Sequence, residues 1–122
     1  MVLQPDIIAR MAIAEYLRGC GYKVVEGVTS EDVMTVLRAG IRIDVVFAEV
    51  RLAGDLDGLD LAKKIRANYP HVDVLLTVGT ANATEKAAEL CEEGPLVKPY
   101  HPQELLRRIE IMRERRRTLT DG

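Results

Sequence analysis

At 122 residues, with 48% hydrophobic and 30% charged residues, the chain has the size of one domain that buries about two thirds of its unfolded surface without disulfide help. A formal net charge of −2 supplies no basic excess for nucleic-acid phosphates, so nucleic acid is not expected as a direct partner. Cys20 and Cys91 form neither a disulfide framework nor a metal set, no apolar run nears the roughly 20 residues of a membrane span, and no leader pattern opens the chain; the expectation is a soluble cytoplasmic protein with free thiols.

Met1 to Gln4 leaves room for only a short first strand. Pro5-Asp6 then opens a helix, with Asp6 as N-cap, Ile7, Ile8, Met11, Ala14 and Leu17 at three-to-four spacing, and a stop at Gly19 and Gly21. Lys23 to Glu26 reads as a second strand. Ser30-Glu31-Asp32 starts a second helix that turns Val33, Val36 and Leu37 inward until Gly40. The apolar run Ile43 to Glu49 is a third strand ending in a carboxylate. A loop from Arg51 to Gly58 follows, in which Asp55 and Asp57 are expected as solvated residues, and a third helix carries Leu59, Leu61 and Ile65 inward before Pro70. Val72 to Val78 is a fourth strand, Ala81 to Glu93 a helix, and Leu96-Val97-Lys98 a fifth strand closed by Pro99. Tyr100 and His101 shape the start of a last helix that opens at Pro102 and faces Leu105, Leu106, Ile109 and Met112 inward. The run Arg113 to Arg117 reads as a solvated helix end whose cations suit the helix dipole.

Strands alternating with helices over short connections imply a parallel sheet covered on both faces by right-handed crossovers. At this length the flavodoxin-like (βα)5 fold follows: a doubly wound α/β sheet in the order 2-1-3-4-5, with its switch point between the first and third strands, where Pro5, Asp6 and Glu49 meet. Buried parallel strands gather chemistry at their carboxyl ends, so Glu49 and Lys98 are expected to face each other across one pocket.

Several segments carry a more specific resemblance. They are Ile43 to Arg51 with Gly54 and Asp57-Gly58, then Leu75-Leu76-Thr77-Val78-Gly79, then Gly94-Pro95-Leu96-Val97-Lys98-Pro99-Tyr100. From about Val2 to Met112 the chain resembles the receiver domain of two-component response regulators. The resemblance puts Glu49 at the phosphoacceptor position, where the family has Asp and where efficient phosphorylation of Glu is not expected, and a phosphate and switch pocket at Lys98, Thr77, Val78, Pro95 and Pro99. Val78 falls where the family places Ser or Thr, Thr77 is expected to point to the opposite face, and Pro95 replaces the aromatic switch residue. The acidic pair that helps hold Mg²⁺ corresponds to Gln4 and Pro5, with Asp6 beside them, so no metal is expected and Mg²⁺ should bind only weakly.

The expected function is thus a non-enzymatic, single-domain response-regulator-like signalling and adaptor module of residues 1–122. Its core spans about 2–112, its basic helix end and tail span 113–122, and no output domain fits after Met112. A sensor histidine kinase or a downstream signalling protein is the expected partner, and a homodimer is a further expectation. One alternative is a receiver still phosphorylated by a histidine kinase, with Asp6 or Asp57 as other acceptors. A flavodoxin-like nucleotide or flavin binder is opposed by the lack of a Gly-rich phosphate loop after a strand. An enzyme using Glu49 and Lys98 as acid and base is opposed by the lack of a nucleophile or catalytic His nearby.

Overall fold

The computed structural model describes residues 1–50, 57–78, 96–97 and 100–121. Their elements in chain order are β1 (Val2–Leu3), α1 (Ile7–Gly19), β2 (Glu26–Gly27), α2 (Ser30–Arg38), β3 (Val45–Glu49), α3 (Gly58–Asn68), β4 (Asp73–Val78), β5 (Leu96–Val97) and a last helix, here α4 (Pro102–Asp121). All strand pairs are parallel, in the order β2-β1-β3-β4-β5, which is the flavodoxin-like arrangement the alternation implied. The expected helix over Ala81 to Glu93 lies outside the described residues, as do Asp55, Cys91, Pro95, Lys98 and Pro99.

Strand alternation sorts the core into two layers. Leu3, Val46, Ala48, Val50 and Leu76 pack with Val33, Met34 and Leu37 of α2 and Leu61, Ala62 and Ile65 of α3. Val2, Val45, Phe47, Leu75 and Leu96 pack with Ile13 and Leu17 of α1 and Leu105 and Ile109 of α4. Each fully buried side chain of this kind contributes about 1.5–3 kcal/mol relative to exposure, so the near-continuous apolar runs of β3 and β4 are what both layers are built on.

Local signals set the helix ends. The Asp6 carboxylate accepts from the Ile8 and Ala9 amides at 2.9 and 3.5 Å, which makes it the N-cap of α1. Asp32 in the first turn of α2 reaches back to accept from the Val28 and Thr29 amides at 2.8 and 3.0 Å. Gly21 and Gly40, just past α1 and α2, take φ of 96° and 78°, the left-handed region in which a side chain is strained.

Three expectations need correction. The second strand is Glu26–Gly27, not Lys23 to Glu26, because its ladder partner β1 begins only at Val2, which registers with Glu26. On α1 the buried residues are Ile13, Ala14 and Leu17, while Ile7, Ile8 and Met11 are exposed. At about 100° per residue, the direction fixed by Ile13 and Leu17 puts Ile8 on nearly the opposite side of the helix. The arginine run does more than solvate a helix end. Arg116 grips Asp73 through two contacts of 2.6 and 3.4 Å and the Pro70 carbonyl at 3.0 Å, and Arg113 reaches Asp44 at 3.1 Å. These pairs hold α4 to the amino edge of the sheet.

Candidate functional site

Glu49 is the last residue of β3 and stands half-buried at the carboxyl edge. The β3–β4 ladder registers it with Thr77, one step beyond Ala48↔Leu76 and two beyond Phe47↔Leu75. On β1 the register Leu3↔Ala48 carries Gln4 to the level of Glu49. Neighbours at one level of a parallel ladder project to one face, and Phe47 and Leu75 fix that face as the α1/α4 side. Gln4, Glu49 and Thr77 thus form a polar row across three strands. This corrects the expectation that Thr77 points to the face away from the site: the alternation was counted from Val78, whereas the ladder aligns Thr77 itself with Glu49.

The row is dry on both sides of Glu49. Gln4 and Thr77 are each 1% exposed, and Gln4 Nε2 and Thr77 Oγ1 have no hydrogen-bond partner among the described residues. A buried polar group left unbonded costs about 1–3 kcal/mol, so each such atom calls for a cause. The Gln4 main chain is held in place: its amide donates to the Gly27 carbonyl at 3.3 Å, and Arg10 Nη1 donates to its carbonyl at 3.1 Å. Arg10 in turn pairs with Glu26 at 3.4 Å.

Pro5 and Asp6 are exposed, and the Asp6 carboxylate is committed to its helix cap. Asp57 is likewise an N-cap, accepting from the Asp60 amide at 2.8 Å at the start of α3, and not simply a solvated loop residue. Gly58 follows it at a point of close approach: its amide donates to the Val50 carbonyl at 2.7 Å, and a Cβ there would fall on the Glu49 carbonyl oxygen and 2.7 Å from Val50 Cα. The beginning of α3 is therefore moulded onto the peptide that carries Glu49. Lys98, Pro95 and Pro99 lie outside the described residues, as does the side chain of Val78.

Sequence reasoning gave Tyr100 no part in the site. Its ring stands edge-on to Phe47, with centroids 5.8 Å apart and planes at 85°. Burial first, and then the Glu49 carboxylate, push its phenol up to about 12. The signal available in the sequence was an aromatic directly after the lysine-proline pair, on the way into the last helix.

A family model described as the response regulator receiver domain matches residues 1–110. The chain belongs to the receiver domain family. Among curated proteins this receiver is 31% identical over 109 residues to the response regulator protein FleR of Pseudomonas aeruginosa, covering 87% of this chain and 22% of FleR. It is 27% identical over 115 residues to the uncharacterized transcriptional regulatory protein YbdJ of Bacillus subtilis, covering 93% of this chain and 50% of YbdJ. It thus spans half or less of the length of these relatives. A response regulator receiver domain protein from Clostridium thermocellum superposes with a TM-score of 0.83 at 24% identity, covering 97% of this chain and 95% of that one, a likeness of fold. Receiver domains are generally non-catalytic modules of two-component signalling that interact with histidine kinases and effector domains. No helix among the described residues is long and apolar enough to cross a membrane.

Proposed function

We propose that this receiver is a phosphate-independent binding and adaptor module whose signalling position is Glu49, and that it works without metal and without catalysis. The observation that carries the reading is the polar row: a neutral, buried Gln4 stands beside Glu49 where a receiver has an acidic residue. Mg²⁺ demands near-octahedral oxygen ligands and is usually held by carboxylates. Gln4 offers an amide, Pro5 no side-chain ligand, and Asp6 a carboxylate already bonded to two backbone amides, so these residues do not fit the ion. Phosphoryl transfer relies on positioning and charge neutralisation, and an acceptor one methylene longer than Asp moves its oxygen by about 1 Å. Glu49 supplies at most one negative charge where a phosphoryl group carries nearly two.

The surface beside this edge supports a partner-binding role. Ile7, Ile8 and Met11 are 57%, 78% and 52% exposed on the first two turns of α1, which begins three residues after Gln4. Three large apolar side chains exposed together mark a contact surface. A histidine kinase or a downstream signalling protein that covers the Glu49 edge would bury this strip as well.

The deciding experiment is incubation with acetyl phosphate, or with a kinase encoded beside the gene, followed by intact mass. An unchanged mass is expected. A stoichiometric gain of about 80 Da, abolished by Glu49→Gln, would overturn the phosphate-independent reading and restore the ordinary relay.

A further inference from the structure

We infer that Tyr100 is the positioning residue that couples the Glu49 side chain to helix α4. The inference deepens the reading of Glu49 as the signalling position and rests on it.

The geometry begins on β3. Phe47 and Glu49 are two residues apart, so they project to one face of the sheet about 7 Å from each other. Tyr100 stands against Phe47 on that face, ring edge to ring face at 5.8 Å, and packs with the same cluster that holds Leu105 and Ile109 of α4. Its phenol feels the Glu49 carboxylate, which adds to burial in keeping the hydroxyl neutral. The flanking residues Gln4 and Thr77 are sealed from water, and charges separated by such a medium interact far more strongly than across solvent.

From Tyr100 the connection to α4 is short and tied. His101 Nδ1 accepts from the Gln103 amide at 3.3 Å, and the His101 carbonyl accepts from the Glu104 amide at 2.8 Å, so the entry to α4 is bonded as a unit. A displacement of Tyr100 therefore reaches α4 through a single residue, His101, whose bonds cap the helix's first turn. Pro95, at the place where the resemblance expects the aromatic of a receiver, has no ring to offer. The packed aromatic that faces the site is instead the one after the lysine-proline pair.

The test uses the full chain alone, labelled with ¹⁵N. Glu49→Gln removes the charge and keeps the shape, and its effect on amide shifts is measured in the wild-type and Tyr100→Phe backgrounds. Tyr100→Phe keeps the ring and the Phe47 contact, so it retains the fold, which a thermal melt verifies. With Tyr100 present, Glu49→Gln is expected to shift amides from His101 through Ile109. In Tyr100→Phe the α4 shifts should shrink several-fold, leaving the perturbation on β3 and β4. A second readout is ultraviolet titration of the four tyrosines after 3-fluorotyrosine incorporation, which brings the phenols into a range where the fold is intact. Glu49→Gln should move the latest phenol earlier, and Tyr100→Phe should abolish it. Equal α4 shifts in both backgrounds, or a late phenol indifferent to Glu49→Gln, would overturn the coupling. The reading of Glu49 itself fails differently, through a stoichiometric gain of about 80 Da that Glu49→Gln abolishes.

Discussion

Replacing Gly58 by alanine puts one methyl group into the tightest contact at the site. The new Cβ would lie 2.8 Å from the Glu49 carbonyl carbon and 2.7 Å from Val50 Cα, distances that real Cβ atoms essentially never show, against backbone that cannot swing aside as a side chain could. Either α3 lifts off or the end of β3 bends. Overpacking of this kind costs about 1–3 kcal/mol, and losing the 2.7 Å bond from the Gly58 amide to the Val50 carbonyl adds about 1 kcal/mol. Against roughly 4 °C of Tm per kcal/mol for a domain of this size, a fall of about 8–16 °C is expected. Gly19→Ala is the control, since nothing lies within 4 Å of its would-be Cβ. Differential scanning calorimetry gives the Tm values, and amide shifts at Glu49 and Val50 show whether the site end moves. A Gly58→Ala protein melting within about 2 °C of wild type, with those shifts unchanged, would show that α3 is not moulded onto the Glu49 peptide.

Asp57→Ala removes the α3 cap and should cost about 1 kcal/mol in urea denaturation, whereas a merely solvated loop aspartate would cost nothing measurable. Burial pushes the Asp44 carboxyl up, but Arg113 and Arg42 beside it more than reverse this and leave it below the ordinary value. Its contribution to stability is therefore present above that ordinary value and lost as pH falls through the depressed pKa; Arg113→Ala should flatten this acid limb, and an unchanged limb would dismiss the pair. At the other extreme the raised Tyr100 phenol stabilises the fold below about 10 and loses that contribution as pH climbs toward 12, so Tyr100→Phe should make alkaline unfolding less steep. Mg²⁺ titration should leave the Glu49 amide unmoved, and saturable shifts below about 1 mM would contradict the fit argued from Gln4 and Pro5.

The fold was legible because its signals are local and redundant. Asp6 and Asp32 sit where caps are needed, and the runs of β3 and β4 are apolar on both faces, as only a covered parallel strand can be. What escaped depended on register or rotation. Thr77 could be placed relative to Glu49 only through the β3–β4 ladder, and a one-residue slip of register exchanges the faces. Ile8 and Met11 have the spacing of a buried stripe, yet Ile13 and Leu17 lie on another side of the same helix and have the sheet beneath them. Arg113 and Arg116 look like any basic helix end until the fold brings Asp44 and Asp73 to meet them, across 43 positions of sequence in the case of Arg116.

These particulars give α4 two attachments of different character. At the amino edge it is fastened by Arg116 to Asp73 and by Arg113 to Asp44, charge-assisted contacts with directional geometry. At the carboxyl edge, fourteen residues and about 21 Å away along the helix, the attachment is the packing of Tyr100 on Phe47 and of Leu105 in the same cluster. Apolar burial is non-directional and tolerates sliding that a two-point guanidinium–carboxylate contact resists. On the inferred coupling, removing the charge at Glu49 is expected to act first on this packed end of α4 and least on the Arg116 end. The expected form of that response is a tilt of the helix about its Arg116 anchor, with amide shifts in Glu49→Gln that decline from Leu105 toward Arg116; shifts uniform along α4 would refute it.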